Sequence, residues 1–194
     1  GIYHYPQGAI GHRRLSIIDT SEAASQPFTD DTERYTIVFN GEIFNYKQLR
    51  AQLEAKGFVF KSHSDTEVLL HLYIADKEKC LHQLDGEFAF AVYDKQTEQL
   101  FIARDRFGVK PLYYYKDDDR FVFGSEMKAL MAFEIPKKID FASLQTYLHL
   151  NYIPSPHCIF EHVWKLPAGN FMTIASNGKS DLQNYYSISH QYDE

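Results

Sequence analysis

Cysteine is scarce in this chain: Cys80 and Cys158 are its only two, far apart in a sequence of 194 residues. That excludes a disulfide-dense secreted scaffold and fits two free thiols in a cytosolic protein, so a cytoplasmic location is expected. Long apolar runs are missing, so no segment reads as a membrane span. The opening "GIYHYPQGAIGHRR" lacks the apolar core and cleavage site of a signal peptide. Positive charge is also short. Twenty Lys and Arg face 26 Asp and Glu, a formal net charge of −6, which disfavours nucleic acid or an anionic membrane as the main partner. Neither a P-loop nor a dinucleotide-binding glycine pattern occurs.

What is present describes an ordinary soluble domain. Hydrophobic residues make up 44% and charged residues 24%, and the length suffices for one sizeable core. The aromatic share is 15%, mostly Phe and Tyr, which leans towards half-buried strands.

The segment around "AIGHRRLSIID" has a strand-like core from Leu15 to Ile18, followed by a polar loop over 19–33. A strand over 35–39 runs into Asn40-Gly41. Tyr46, Leu49 and Leu53 then fall at helical spacing, with Asn45 and Gln48 placed as a capping box and Gly57 as a stop. "FVFK" (58–61) alternates as a short strand. Ser64 and Glu67 form an S-x-x-E pattern ahead of an apolar helix face, Val68, Leu69, Leu72 and Tyr73. From 86 to 124 the pattern reads as a β-meander, then a short helix with Ser125 as N-cap and another from about Asp140. "NYIPSP" breaks the pattern, and the chain closes on a hairpin. The whole predicts a layered α+β domain with antiparallel sheets.

Several residues are candidates for chemistry. An Asn-Gly pair at a strand end can aim a side-chain amide and a backbone N–H at one point, as an oxyanion hole does, or can simply permit a sharp corner. Arg13 and Arg14 can hold a carboxylate through a bidentate fork or sit as solvated basic residues. Asp65, in the first turn of a helix, either complements the helix dipole or binds an ammonium group. Together, one Arg and one Asp suit the two charged ends of a free α-amino acid. His157, Cys158 and His162 come nearest to a metal-ligand spacing and read better as surface or core residues, so no metal is expected. Asp117 to Asp119 read as a solvated turn and "RDRFGVKP" (104–111) as a loop.

In order along the chain, "GHRRLSIID" (11–19), "FNGEIFNY" (39–46), "SDTEVLL" (64–70), "LDGEFAFAVYD" (84–94), "ARDRFGVKPLYYY" (103–115) and "GSEMKAL" (124–130) resemble the glutaminase domain of glutamine-hydrolysing asparagine synthetases. These are class II glutamine amidotransferases of the N-terminal-nucleophile hydrolase fold. The resemblance implies a four-layer αββα sandwich and glutamine as substrate. It implies that Arg14 holds the α-carboxylate, that Leu15, Ser16, Ile17 and Ile18 line the pocket, and that Asn40 and Gly41 form the oxyanion hole. It further implies that Glu42 and Asp65 bind the α-ammonium. No cofactor is expected in this domain; ATP and magnesium belong to a synthetase domain in the parent chain, and a homodimer is compatible with the reading.

The family nucleophile is an N-terminal cysteine followed by glycine, whereas residue 1 here is Gly, then Ile2 and Tyr3. The expectation is therefore an amidotransferase domain over 1–170 without its first strand and cysteine, then a hairpin and linker start over 171–194. These 194 residues alone are expected to be inactive, since neither internal cysteine has the α-amine that serves as base. No "SGGxDS"-like ATP-pyrophosphatase loop follows. Two other classes stay open: a non-catalytic amino-acid-binding or dimerisation module, and the amidotransferase domain of another ATP-dependent amide ligase.

Overall fold

A computed structural model describes residues 1–13 and 25–188. Its strands are β1 (Ile2–Tyr5), β2 (Gly8–Gly11), β3 (Phe28–Thr29), β4 (Tyr35–Ile43), β5 (Gly86–Asp94), β6 (Gln99–Arg104), β7 (Tyr113–Lys116), β8 (Phe121–Gly124), β9 (Val163–Lys165), β10 (Asn170–Ile174) and β11 (Ser180–Asn184). The α-helices are α1 (Tyr46–Ala55), α2 (Asp65–Asp76), α3 (Met127–Met131) and α4 (Phe141–Leu150). A six-stranded antiparallel sheet has the order β11-β10-β6-β5-β4-β3, a three-stranded sheet the order β8-β7-β9, and β1 pairs with β2.

Side-chain alternation builds the layers. Along β4 to β6, Ile37, Phe39, Ile43, Phe88, Phe90, Val92 and Phe101 face one way and pack under α1 and α2. Val38, Ala89, Ala91, Tyr93 and Ile102 face the other way, onto Tyr114 and partly buried Trp164 of the three-stranded sheet. The outer face of that second sheet carries Tyr115 and Val163 against Leu130 of α3. The order is helix, sheet, sheet, helix: an αββα sandwich. Helix α2 is buried from Asp65 to Tyr73, as an apolar helix held between a sheet and α1 must be.

Several expectations need correction. The strand expected to end at Phe39 continues to Ile43, because Gly41, Glu42 and Ile43 pair with Phe88, Glu87 and Gly86. Asn45 makes no side-chain cap; its amide donates to Gln83 O at 2.9 Å and accepts from Asp85 N at 3.0 Å, tying the start of α1 to the approach to β5. Residues 58–61 form no strand; the Lys61 and Ser62 N–H groups bond the Glu67 carboxylate instead. Ser64 does cap α2, accepting from Glu67 N at 3.2 Å. The meander over 86–124 is two hairpins in different sheets, and "RDRFGVKP" is the crossing between them. Asp105 organises that crossing, accepting from Phe107 N, Val109 N and Lys110 N at 3.0 Å each while 1% exposed. The closing hairpin, β10–β11, pairs with β6 in the main sheet and places Phe171 and Met172 in the core.

Candidate active site

The site is built where β4 emerges from the cover of β3. In an antiparallel ladder, alternate residues turn both backbone groups towards one neighbour. Phe88 directs its own towards the β6 side, with Asp105 N donating to Phe88 O at 2.8 Å and Phe88 N donating to Asp105 Oδ2 at 3.3 Å. Its partner Gly41 therefore points its N–H away from β5, to the other edge of β4. The flanking outward N–H groups are both engaged. Phe39 N donates to Gln26 Oε1 at 2.6 Å, and Ile43 N donates to Asp65 Oδ2 at 3.1 Å. Between them, the Gly41 N–H faces an edge that no strand covers among the described residues.

Gly41 has no alternative residue. Its φ is +153°, and a Cβ there would lie 2.1 Å from Glu87 O and 2.8 Å from Phe88 Cα. The opposite end of the same pairing repeats the constraint, since a Cβ on Gly86 would meet Glu42 O at 2.3 Å. So the Asn-Gly pair is not a turn; it is a strand position where two backbones approach too closely for a side chain.

Asn40 extends from the other face, between the sheets, where its Nδ2 donates to Ser125 Oγ at 3.2 Å. An adjacent carboxamide N–H and backbone N–H are the two donors an oxyanion needs. Beside them Asp65 is 6% exposed, and burial pushes its carboxyl above the ordinary carboxylate range, with Glu42 adding in the same direction. Glu42 lies directly opposite Glu87 across the ladder, and Lys110 Nζ approaches Glu87 at 3.7 Å. Facing like charges are unfavourable, and Lys110 offsets them here.

The structure brings Asn40, Gly41, Glu42 and Asp65 together. Arg14, Leu15, Ser16, Ile17 and Ile18 lie outside the described residues. Two participants were missed from sequence: Gln26, whose amide pairs with both backbone groups of Phe39, and Ser125, expected as the cap of α3. No group of His, Cys, Asp and Glu placed to hold a metal occurs among the described residues. A groove of about 800 Å³ at the start of β4, lined by Asp30, Arg34, Tyr35 and Lys77, is a different place. Two of its cations are already engaged: Arg34 with Asp94 at 2.8 Å, and Lys77 with the Tyr35 hydroxyl at 2.7 Å.

The αββα sandwich is the fold of the N-terminal-nucleophile hydrolases, and Asn40 and Gly41 on β4 lie next to the buried Asp65 that bonds Ile43 N. Residues 1–186 match the family model described as "Glutamine amidotransferase domain", and the chain belongs to that family. It is 43% identical over 189 residues to asparagine synthetase [glutamine-hydrolyzing] 1 of Bacillus subtilis, covering 97% of this chain and 30% of that protein. It is 36% identical over 204 residues to putative asparagine synthetase [glutamine-hydrolyzing] 2 of Methanocaldococcus jannaschii, covering 95% and 39%. Among solved structures, glutamine phosphoribosylpyrophosphate amidotransferase from B. subtilis shares the fold, with a TM-score of 0.68 and 24% identity over 93% of this chain and 35% of that one. The chain thus spans about a third of the length of the curated relatives it matches.

Proposed function

We propose that this domain hydrolyses glutamine to glutamate and ammonia, and that in the whole protein the ammonia goes to a synthetase domain that uses ATP and magnesium to convert aspartate to asparagine. The observation that carries the first half is the meeting of Asn40, Gly41 and Asp65 at one sheet edge. For asparagine as product the second half rests on the relatives' names, and for ATP, magnesium and aspartate on the family pattern.

Glutamine lies with its α-ammonium against Asp65 and Glu42 and its carboxamide oxygen at the Asn40 amide and the Gly41 N–H. Arg14 takes the α-carboxylate, with Leu15 to Ile18 along the chain of the substrate; these five assignments rest on the family pattern. The nucleophile is the family's N-terminal cysteine, which residues 1–194 do not contain. Its sulfur attacks the carboxamide carbon, the C=O electron pair moves onto oxygen, and the two donors hold that charge. Collapse re-forms the carbonyl and breaks the C–N bond, and the proton taken up by the cysteine's own amine leaves with ammonia. Water then attacks the thioester through a second oxyanion and releases glutamate and the thiol. Removing one such donor costs about 100- to 1,000-fold in rate, so this site accounts for much of the acceleration.

Two unpaired thiols suit a cytoplasmic protein, and a homodimer is compatible with the fold. The test is to incubate the full-length gene product with glutamine and measure glutamate and ammonia, then add ATP, magnesium and aspartate and measure asparagine. Ammonia without asparagine leaves the glutaminase and overturns the acceptor. No ammonia overturns both.

A further inference from the structure

The hydrogen bond from Asn40 Nδ2 to Ser125 Oγ joins residues 85 positions apart and crosses from the six-stranded sheet to the end of β8 in the other sheet. Ser125 stands where a serine would be expected to cap the next helix. It does not do so: the N-cap of α3 is Glu126, and that cap has no side-chain hydrogen bond. The hydroxyl is left for Asn40. Its location is set by packing, since Gly124 pairs with Tyr113 and would carry a Cβ 3.1 Å from Leu130 Cδ1, a side chain that is 0% exposed.

A carboxamide nitrogen has two N–H bonds in one plane. The last torsion of an asparagine side chain is broad, so an unsupported amide points its donors over a wide arc. Fixing one N–H on Ser125 fixes the amide plane and with it the direction of the second N–H. The neighbouring Gly41 N–H is already fixed by the ladder. Donors aimed in advance stabilise developing charge without reorganising at the moment of reaction.

We propose that Ser125 is a positioning residue for glutamine hydrolysis: by accepting one Asn40 N–H it holds the other towards the tetrahedral oxyanion. This rests on the glutaminase reading above. Ser125 acts through Asn40 and not on the substrate, so its effect falls on the tetrahedral steps and not on capture of the amino-acid end of glutamine.

The test is steady-state glutaminase kinetics of the full-length gene product with Ser125→Ala, Ser125→Thr, Asn40→Ala and the double variant Ser125→Ala/Asn40→Ala. A lost hydrogen bond of ordinary strength corresponds to a fall in kcat of about 5- to 10-fold for Ser125→Ala, with the glutamine KM within about twofold of wild type. Ser125→Thr keeps the hydroxyl and recovers most of the rate. In the Asn40→Ala background, Ser125→Ala has no further effect, because the two act as a unit. An aldehyde analogue of glutamine, whose cysteine adduct carries an oxyanion, weakens in parallel with kcat. Wild-type kcat in Ser125→Ala, or a full additional loss in the Asn40→Ala background, overturns the proposal while leaving the glutaminase intact. A wild-type protein that releases no ammonia overturns both. If Ser125→Ala fails to fold, Ser125→Thr against Ser125→Cys carries the comparison: an equal loss in both contradicts a role for the hydroxyl.

Discussion

The Ile43 backbone N–H donates to Asp65 Oδ2 at 3.1 Å, so the strand that carries Asn40 and Gly41 is tied directly to the first turn of the helix that carries Asp65. One hydrogen bond thereby sets the spacing between the donors at one end of the site and the carboxylate at the other. The same bond satisfies a backbone group that β3 does not reach, so the carboxylate proposed to bind substrate also holds the strand in place.

Asp65→Asn keeps an acceptor for Ile43 and removes the charge. Losing a charge-assisted hydrogen bond to an ammonium is expected to raise the glutamine KM about 10- to 100-fold, with a smaller change in kcat. The pH dependence has a definite sign. Burial raises the Asp65 pKa in the fold above its ordinary 3.8, so kcat/KM falls on acidification at a higher pH than a free carboxylate predicts. For folding, a raised carboxyl pKa means its contribution is most favourable below the unfolded-state pKa and is lost as pH rises through the folded one. At neutral pH the ionised group is therefore a cost to the ligand-free protein. Asp65→Asn is expected to unfold at no lower urea concentration than wild type while binding glutamine more weakly.

Gly41→Ala and Gly86→Ala both drive a methyl group into an opposing carbonyl, at 2.1 and 2.3 Å. Each is expected to destabilise the domain by about 3 kcal/mol or more, read as a shift in the urea midpoint. Where enough Gly41→Ala folds to assay, glutaminase activity is expected to fall further than in Gly86→Ala, because only Gly41 is proposed to supply an oxyanion donor.

Cys80 and Cys158 are 0% and 3% exposed, and burial pushes the Cys158 thiol up to about 11 and the Cys80 thiol higher still. Neither is a thiolate at neutral pH. A polypeptide of residues 1–194 alone is expected to release no ammonia from glutamine, and iodoacetamide followed by intact-mass measurement should add nothing to the native protein within minutes. Adding denaturant should give two alkylations.

Asp105→Ala removes the acceptor for the N–H groups of Phe107, Val109 and Lys110, at a position 1% exposed. It also frees the buried Phe88 N–H; a buried donor left unmatched costs about 1–3 kcal/mol, and the three part-buried loop donors cost less each. The variant is expected to melt well below wild type, and hydrogen exchange of residues 105–110 should accelerate first.

Asn40, Gly41, Glu42 and Asp65 were expected from the resemblance of their short stretches to the amidotransferase family, and the structure places them on β4 and the first turn of α2, joined through Ile43 N. Contacts made over long separations were not legible in the sequence. Ser125 reads as a cap for the helix next to it, and nothing local announces a partner 85 residues away. Gln26 likewise extends the edge of β4 by side-chain mimicry of a strand, a role no propensity scale encodes. The strand expected at 58–61 failed because Glu67 captures the Lys61 and Ser62 N–H groups that a ladder would need. The strand beyond Phe39 was missed because Asn-Gly usually marks a turn, whereas here the glycine answers a close approach of β5.

Asn40 and Gly41 are proposed to stabilise the oxyanion of glutamine hydrolysis. The most direct test is the glutaminase kcat of Asn40→Ala in the full-length gene product. A fall of about 100- to 1,000-fold is expected, with the glutamine KM changed by less than about threefold. A variant that keeps the wild-type kcat, or that loses only glutamine binding, would contradict that role.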